Sequence, residues 1–401
     1  MLGRQPYDSG AARQSEAGCR ARGKPQGACA PPIHKIASTM DASTFRAQFP
    51  VLERCAYLNA GTVGPAPARA IHAAREQLER QAREPRSGRP TFAAVLELAS
   101  SARGGYAEAL GCAPEEVALT GSTTDGVNTV LAGLDLRSGD EILTSDEEHP
   151  GLLAPLGRAR RTCGIRIRVV PFAEIANEVR PSTRLVACSH VSWVSGQVVD
   201  TGALAAADAP VLLDGAQALG AVPARAHELG CDYYACSGQK WLCGPEGSGC
   251  LFVRPERLDE LQIPWPSYAS LADAGRPLEL EPAAGAARFD VGFPYAMRSS
   301  WALASLSVLR EAGWEWVHER GAALAARLGE LLRDRGIEVL PRDRSTLVSF
   351  ALHGRDADQE VQRLAAESVV VRSVPTRPGV IRASVGAWSN EDELERVVAL
   401  I

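Results

Sequence analysis

Residues 231–253 read CDYYACSGQKWLCGPEGSGCLFV. An apolar run ends at Ser237, a polar, glycine-flanked loop follows, and a second apolar run begins at Gly249. The loop carries Lys240. Of the 43 basic residues only Lys24, Lys35 and Lys240 are lysine; all the others are arginine. A guanidinium stays protonated at any physiological pH. A lysine amine shielded by apolar neighbours such as Trp241 can lose its proton and become a nucleophile competent for Schiff-base formation. A lysine kept in this loop, where arginine is otherwise used, points to covalent chemistry.

Upstream, residues 209–220 read APVLLDGAQALG, a buried apolar strand that ends in Asp214 and passes into a turn of small residues with Gln217. An acid in that place either caps the next segment or faces a crevice and pairs with a buried cation. Residues 117–131, VALTGSTTDGVNTVL, run from a strand through Gly121, Ser122, Thr123 and Thr124 into a helix. Unpaired N–H groups and hydroxyls at a helix start suit a phosphate, although the same residues could be only a cap. No Gly-Lys-Ser/Thr follows, so this is not a Walker loop. Residues 139–151, GDEILTSDEEHPG, set His149 just after another strand. Anion cradle, amine, acid and flat ring at one sheet edge are the parts that hold pyridoxal phosphate.

The surrounding pattern supports one sheet edge. Helical stretches (68–84, 92–110, 125–134, 151–162) alternate with short apolar runs (117–120, 141–144, 165–170, 183–189, 210–214, 249–253). That alternation predicts an α/β fold with a largely parallel sheet between helices, whose ligands sit beyond the carboxyl ends of the strands. After about residue 295 the order changes to helices at 299–318 and 320–335, strands near 346–352, 368–373 and 379–384, and a last helix from Asn390. This predicts a smaller α+β unit. The expected division is a disordered extension at 1–40, a large cofactor-binding domain at 41–294, whose first segment packs on the small domain, and a small domain at 295–401.

Composition narrows the class. With 43 basic and 48 acidic residues and a net charge of -5, the chain lacks the basic surface that nucleic acid requires. No apolar stretch is long enough to span a bilayer. The ten cysteines include no CxxC pair or zinc spacing, so no metal is expected. A chain of this length without a hydrophobic leader is expected to keep them as free thiols in a reducing cytoplasm. An Arg-rich transit peptide at the amino terminus, or translation from Met40, are the other readings of the first segment.

These strings resemble the class V aminotransferase and cysteine-desulfurase-like group of fold-type-I pyridoxal-phosphate enzymes. The resemblance covers about 55–400 and rests on SGQKWLCGPEG (237–247) with DGAQ (214–217) before it. It implies a seven-stranded, mostly parallel sheet and a homodimer acting on an amino acid. Residue by residue, it implies that Lys240 attaches the cofactor, Asp214 pairs with its ring nitrogen and Gln217 donates to its phenolic oxygen. His149 would stack on the ring, and Ser122, Thr123, Thr124, Ser237 and Gln239 would lie around the phosphate. Arg382, in VIRASVGAW, would clamp the substrate carboxylate. There are departures. Gln239 stands where relatives often carry His, and Phe293, in RFDVGFP, stands where many carry a Thr that reaches the neighbouring subunit's phosphate. No cysteine follows Cys250, which disfavours a persulfide-forming desulfurase. DEEHPG, SHVSWVSGQ with Trp193, and the pair Arg372 and Arg382 look most similar to cysteine/cystine C–S lyases. The expected reaction is β-elimination at a C–S bond; transamination, epimerisation and a non-catalytic family member are the alternatives.

Overall fold

The computed structural model describes residues 40–401, so of the expected extension only Met40 falls within the described residues. The strands among them are β1 (Ala56–Tyr57), β2 (Val117–Thr120), β3 (Glu141–Ser145), β4 (Arg166–Val170), β5 (Thr183–Ser189), β6 (Val211–Asp214), β7 (Tyr233–Ser237), β8 (Gly249–Val253), β9 (Glu338–Val339), β10 (Leu347–Ala351), β11 (Val369–Val370), β12 (Arg372–Ser373) and β13 (Val380–Ser384).

Seven of these form one sheet in the order β2-β8-β7-β6-β5-β3-β4. From β4 through β3, β5, β6 and β7 every pairing is parallel, and only β8 runs antiparallel to its neighbours β7 and β2. The central strands read VLLD and YYACS and are buried along their whole length, as parallel strands covered by helices on both faces must be. Register sets the site. Ser189 lies opposite Asp214, and Asp214 opposite Ala235, so the carboxyl ends of β5, β6 and β7 finish in line. Because β8 returns antiparallel, Ser237 pairs with Gly249 and the intervening loop, with Lys240, folds over that same edge.

Helix Thr123–Gly133 starts at the edge and packs across β7. A Cβ at Gly126 would stand 2.8 Å from the Cβ of Ala235, a closer approach than a side chain there allows.

In the carboxyl-terminal part β12, β13, β10 and β9 form a four-stranded antiparallel sheet, in that order, and β1 pairs in parallel with β11. The single strand expected at 368–373 is therefore divided between two sheets, with Val371 between them. The two long helices break at Gly313 (φ +91°), giving Ala296–Ala312 and Trp314–Asp334 in place of a break near 319. The first packs against helices Ala68–Arg83 and Arg89–Leu110. Helix Ala357–Ala366 and the short β9 are absent from the sequence reading. Among the described residues no helix is long and apolar enough to cross a membrane.

Candidate active site

Lys240 lies within a tight loop that is fixed at both ends. The Gly238 N–H donates to the Ser248 carbonyl (2.7 Å), the Gly244 N–H returns to the Gly238 carbonyl (2.8 Å), and Cys243 takes a left-handed conformation (φ +55°). Trp241, 1% exposed, anchors the residue after the lysine, and its indole N–H donates to Gln217 Oε1 at 3.1 Å. Truncating a buried aromatic of this kind costs ~3–5 kcal/mol. The lysine itself is only partly free of water. Burial pulls its pKa down to about 8; the Asp214 carboxylate opposes that shift, and the Arg382 and Arg372 charges add to it. At pH 7 about a tenth of the amine is then unprotonated, far more than for an ordinary lysine, as a nucleophile or base needs.

Asp214 ends β6, buried, with the Ala216 N–H donating to Oδ1 at 2.9 Å. Burial raises its pKa, while Lys240 and the Ala216 N–H hold it down. Ser237 Oγ, at the end of the neighbouring β7, bonds to the Thr123 N–H (3.1 Å) and hydroxyl (2.7 Å). Ser122 Oγ caps the same helix by accepting from Asp125 N at 3.1 Å. An ideal Cβ on Gly151 would stand 2.5 Å from Thr124 Oγ1 and 3.0 Å from His149 Nδ1, which brings the helix start beside the histidine.

His149 Nδ1 accepts from the Gly151 N–H at 3.0 Å, and its ring meets Trp193 edge-on at 4.9 Å between centroids. Burial first, then the Lys240, Arg372 and Arg382 charges, lower its pKa to about 4. It is a neutral ring at neutral pH.

Arg382 is the most unusual member. It is 0% exposed; Nη1 donates to the Trp193 carbonyl at 2.8 Å, while among the described residues it has no carboxylate partner and Nε and Nη2 have no hydrogen-bond partner. Those two donors form one edge of the guanidinium, the edge that takes a carboxylate bidentately. Burial and the neighbouring Arg372 lower its pKa to about 9. Arg372 lies beside it across β12 and β13, with its guanidinium 5.9 Å from the Trp193 ring and Nη1 donating to Thr62 Oγ1 at 3.2 Å. Two arginines without a carboxylate among the described residues, one fully buried, leave an uncompensated positive charge that a bound anion would balance. Gln239 Oε1 and Trp193 Nε1 are likewise buried without a partner among the described residues. An anionic, aromatic, aldehyde-bearing molecule such as pyridoxal phosphate fits this set of groups.

Three features are absent from the sequence reading. Residues 59–64 run from β1 across to the site, where the Gly64 N–H donates to the Gln239 carbonyl at 2.7 Å. Within this segment a Cβ on Gly61 would come within 2.7 Å of Ser384 Oγ, 2.8 Å of Arg382 Nη2 and 2.9 Å of Gln217 Oε1, so only glycine leaves that space open. Gln217 engages this segment, its Nε2 donating to the Gly61 carbonyl at 2.8 Å, so one amide hydrogen is left for a ligand. The glycine-rich string NAGTVGP (59–65) was the available signal.

The third feature is a pair of buried acids, Glu147 and Glu148. Glu148 accepts from Ser145 Oγ (2.5 Å), Ser189 Oγ (2.6 Å) and Ser189 N (2.9 Å), and burial pushes its pKa up to about 7. A carboxyl raised in the folded state contributes stability that is fully present below its unfolded value, about 4.5, and lost as pH rises through about 7. At 1.36 kcal/mol per pH unit the loss reaches ~3 kcal/mol above that window. Glu148→Gln apoprotein is therefore expected to match wild type near pH 5 and to exceed it at pH 8, read as the difference in urea unfolding free energy. Equal curves at both pH values would place the wild-type carboxyl in the ordinary range.

The class-V aminotransferase family model matches residues 56–397. A probable cysteine desulfurase of Pseudomonas aeruginosa is 32% identical over 318 residues, 71% of this chain and 76% of that protein. The isopenicillin N epimerase of Streptomyces clavuligerus is 28% identical over 386 residues, 85% of this chain and 92% of that one. The cystine C–S lyase C-DES, solved with its reaction product cysteine persulfide, superposes with a TM-score of 0.82 at 28% identity, covering 88% of this chain and 98% of that one. A lysine-to-alanine variant of C-DES with glycine covalently linked to its PLP cofactor gives 0.83. With an α/β sheet, a lysine amine within electrostatic reach of a buried acid and the match over most of its length, this chain belongs to the class-V aminotransferase family of fold-type-I, pyridoxal-phosphate-dependent enzymes.

Proposed function

We propose that the protein is a C–S lyase that eliminates the β-sulfur of a cysteine- or cystine-type amino acid, yielding a keto acid, ammonia and a sulfur product. The observation that carries this reading is the free bidentate edge of the buried Arg382, in the same cluster of interacting charges as Lys240 and Asp214. Arg382 would bind the substrate carboxylate, with Arg372 and the Trp193 ring beside it. Lys240 would attach the cofactor and, once freed by the incoming amino acid, take the α-proton with an amine that titrates at about 8. Asp214 would hold a proton on the cofactor's ring nitrogen, and the neutral His149 ring would lie against its face. Gln217 would offer its remaining amide hydrogen to the phenolic oxygen. Ser122, Thr123, Thr124, Ser237 and Gln239 would surround the phosphate. When bound, pyridoxal phosphate supplies the electron sink that makes the α-carbon acidic.

Lyase is preferred over persulfide-forming desulfurase because no cysteine follows Cys250, which leaves no thiol in the segment before Arg382 to accept sulfur. Cys243, the cysteine nearest Lys240 in the chain, is buried, and burial lifts its thiol well above the ordinary value. The similarity to an epimerase supports proton return to the α-carbon as the second reading. A cytoplasmic homodimer is part of the proposal, with the exposed apolar side chains of Phe92, Leu96, Phe293 and Tyr295 covered by a second copy.

The deciding experiment supplies the reconstituted enzyme with cystine and no keto-acid acceptor. Pyruvate and ammonia in equal amounts are expected. Inverted amino acid without ammonia would instead establish the epimerase, and turnover only on adding a keto acid would establish an aminotransferase.

A further inference from the structure

Glu147 sits in the acid-rich string SDEEH (145–149), yet its side chain is only 11% exposed. Its Oε2 accepts two hydroxyls, from Ser192 in a short contact and from Ser195 at 2.6 Å. Ser192 Oγ in turn accepts the N–H groups of Val194 and Ser195, each at 3.1 Å, so that hydroxyl lies at the centre of the 192–195 turn. The turn carries Trp193, whose carbonyl accepts from Arg382 Nη1 and whose ring faces both Arg372 and His149. From the other side Ser349 Oγ donates to the Val194 carbonyl, and Ser345 Oγ to the Gly196 carbonyl at 2.6 Å. Trp193 and Val194 also pack on Val374, which follows β12, and Val380, which opens β13.

We propose that Glu147 is a positioning residue. By gripping the hydroxyls of Ser192 and Ser195 it fixes the turn whose carbonyl pins one corner of the Arg382 guanidinium, so that Nε and Nη2 stay aimed at the substrate carboxylate. Its other oxygen, Oε1, faces Arg377 Nη2 at 3.6 Å, on the turn that joins the two arginine-bearing strands. Arg377 is half exposed, and an ion pair open to water contributes little. The hydroxyl contacts are short, buried and charge-assisted, so they carry the effect. A charged acceptor suits this place better than an amide because two hydroxyls converge on one oxygen, although an amide oxygen can still receive both.

The inference rests on Arg382 as the carboxylate receptor, and its test separates the two. Glycine, which has no leaving group, is titrated into holoenzyme and its dissociation constant read from the visible spectrum of the cofactor, with thermal midpoints recorded alongside. Glu147→Ala is expected to weaken glycine binding about tenfold or more, the scale of a misplaced hydrogen bond to a charged group. Glu147→Gln, which keeps an acceptor oxygen, is expected to stay within about threefold of wild type. The double variant Ser192→Ala/Ser195→Ala is expected to reproduce the alanine loss without touching the carboxylate, which guards against a Glu147→Ala protein that fails to fold. Wild-type affinity in Glu147→Ala or the double variant, or equal losses in Glu147→Ala and Glu147→Gln, would overturn the proposal. Arg382→Leu is run in parallel. If it binds glycine normally, the reading of Arg382 fails; if it loses binding while the Glu147 and serine variants do not, only the positioning role fails.

Discussion

Lys240→Ala, reconstituted with pyridoxal phosphate, is expected to lose turnover by ~10⁴-fold or more, because one amine is asked both to anchor the cofactor and to act as general base. Dialysis should strip the variant of its visible absorbance while wild type stays yellow. After borohydride reduction only wild type should carry the mass of one cofactor. Lys240→Arg is expected to fail equally. The pocket lowers the amine to about 8 by burial and by the nearby Arg382 and Arg372 charges. A guanidinium starts about two pH units higher or more, so the same lowering would leave it fully protonated at neutral pH. That is the physical reason a chain that otherwise uses arginine keeps lysine here. A variant that stays yellow through dialysis and still releases keto acid would move the anchor elsewhere.

Much of this site could be read from the sequence because each piece is local. Asp214, Ser237 and His149 each close or follow a short apolar run, and a parallel sheet places such ends on one edge whatever the details of packing. Lys240 was visible by its rarity. The remainder depends on contacts between distant segments. Gln217 bonds to the Gly61 carbonyl, a residue from the far end of the chain, and neither string announces the other. Nothing in the string holding Glu147 and Glu148 marks them as buried, because the hydroxyls of Ser189, Ser192 and Ser195 that they accept arrive from β5 and its loop. Periodicity also misplaced the break between the long helices, because apolar residues continue on both sides of it. Gly313, with its positive φ, was the local cue. The segment 368–373 reads SVVVRS, with three valines in a row and no turn residue to divide it, and its division between β11 and β12 follows from which partner each half finds.

Asp214→Asn separates what the fold needs from what the chemistry needs. The amide keeps the volume of the acid and an oxygen to accept the Ala216 N–H, so the end of β6 should hold its shape. The negative charge is lost. In the resting site that charge is what supports the Lys240 cation against the combined push of Arg382 and Arg372. Losing that counter-charge to the cofactor's ring nitrogen is expected to remove ~3 kcal/mol of transition-state stabilisation, which in a rate is about a hundredfold. The kcat/KM of the variant is expected to fall by at least that factor, with a lower pKa on the rising limb of its pH profile as the amine loses its counter-charge. Stability should move the other way. Burial raises the Asp214 pKa, so the ionised carboxylate is a net cost to the folded apoprotein, and that cost grows as pH rises through the shifted value. The Asn apoprotein should therefore unfold at the same urea concentration as wild type or a higher one at pH 8. If activity survives, Asp214 is not the cofactor's partner. If activity and stability fall together, the acid belongs to the framework of the sheet, and its place beside the amine is a consequence of packing alone.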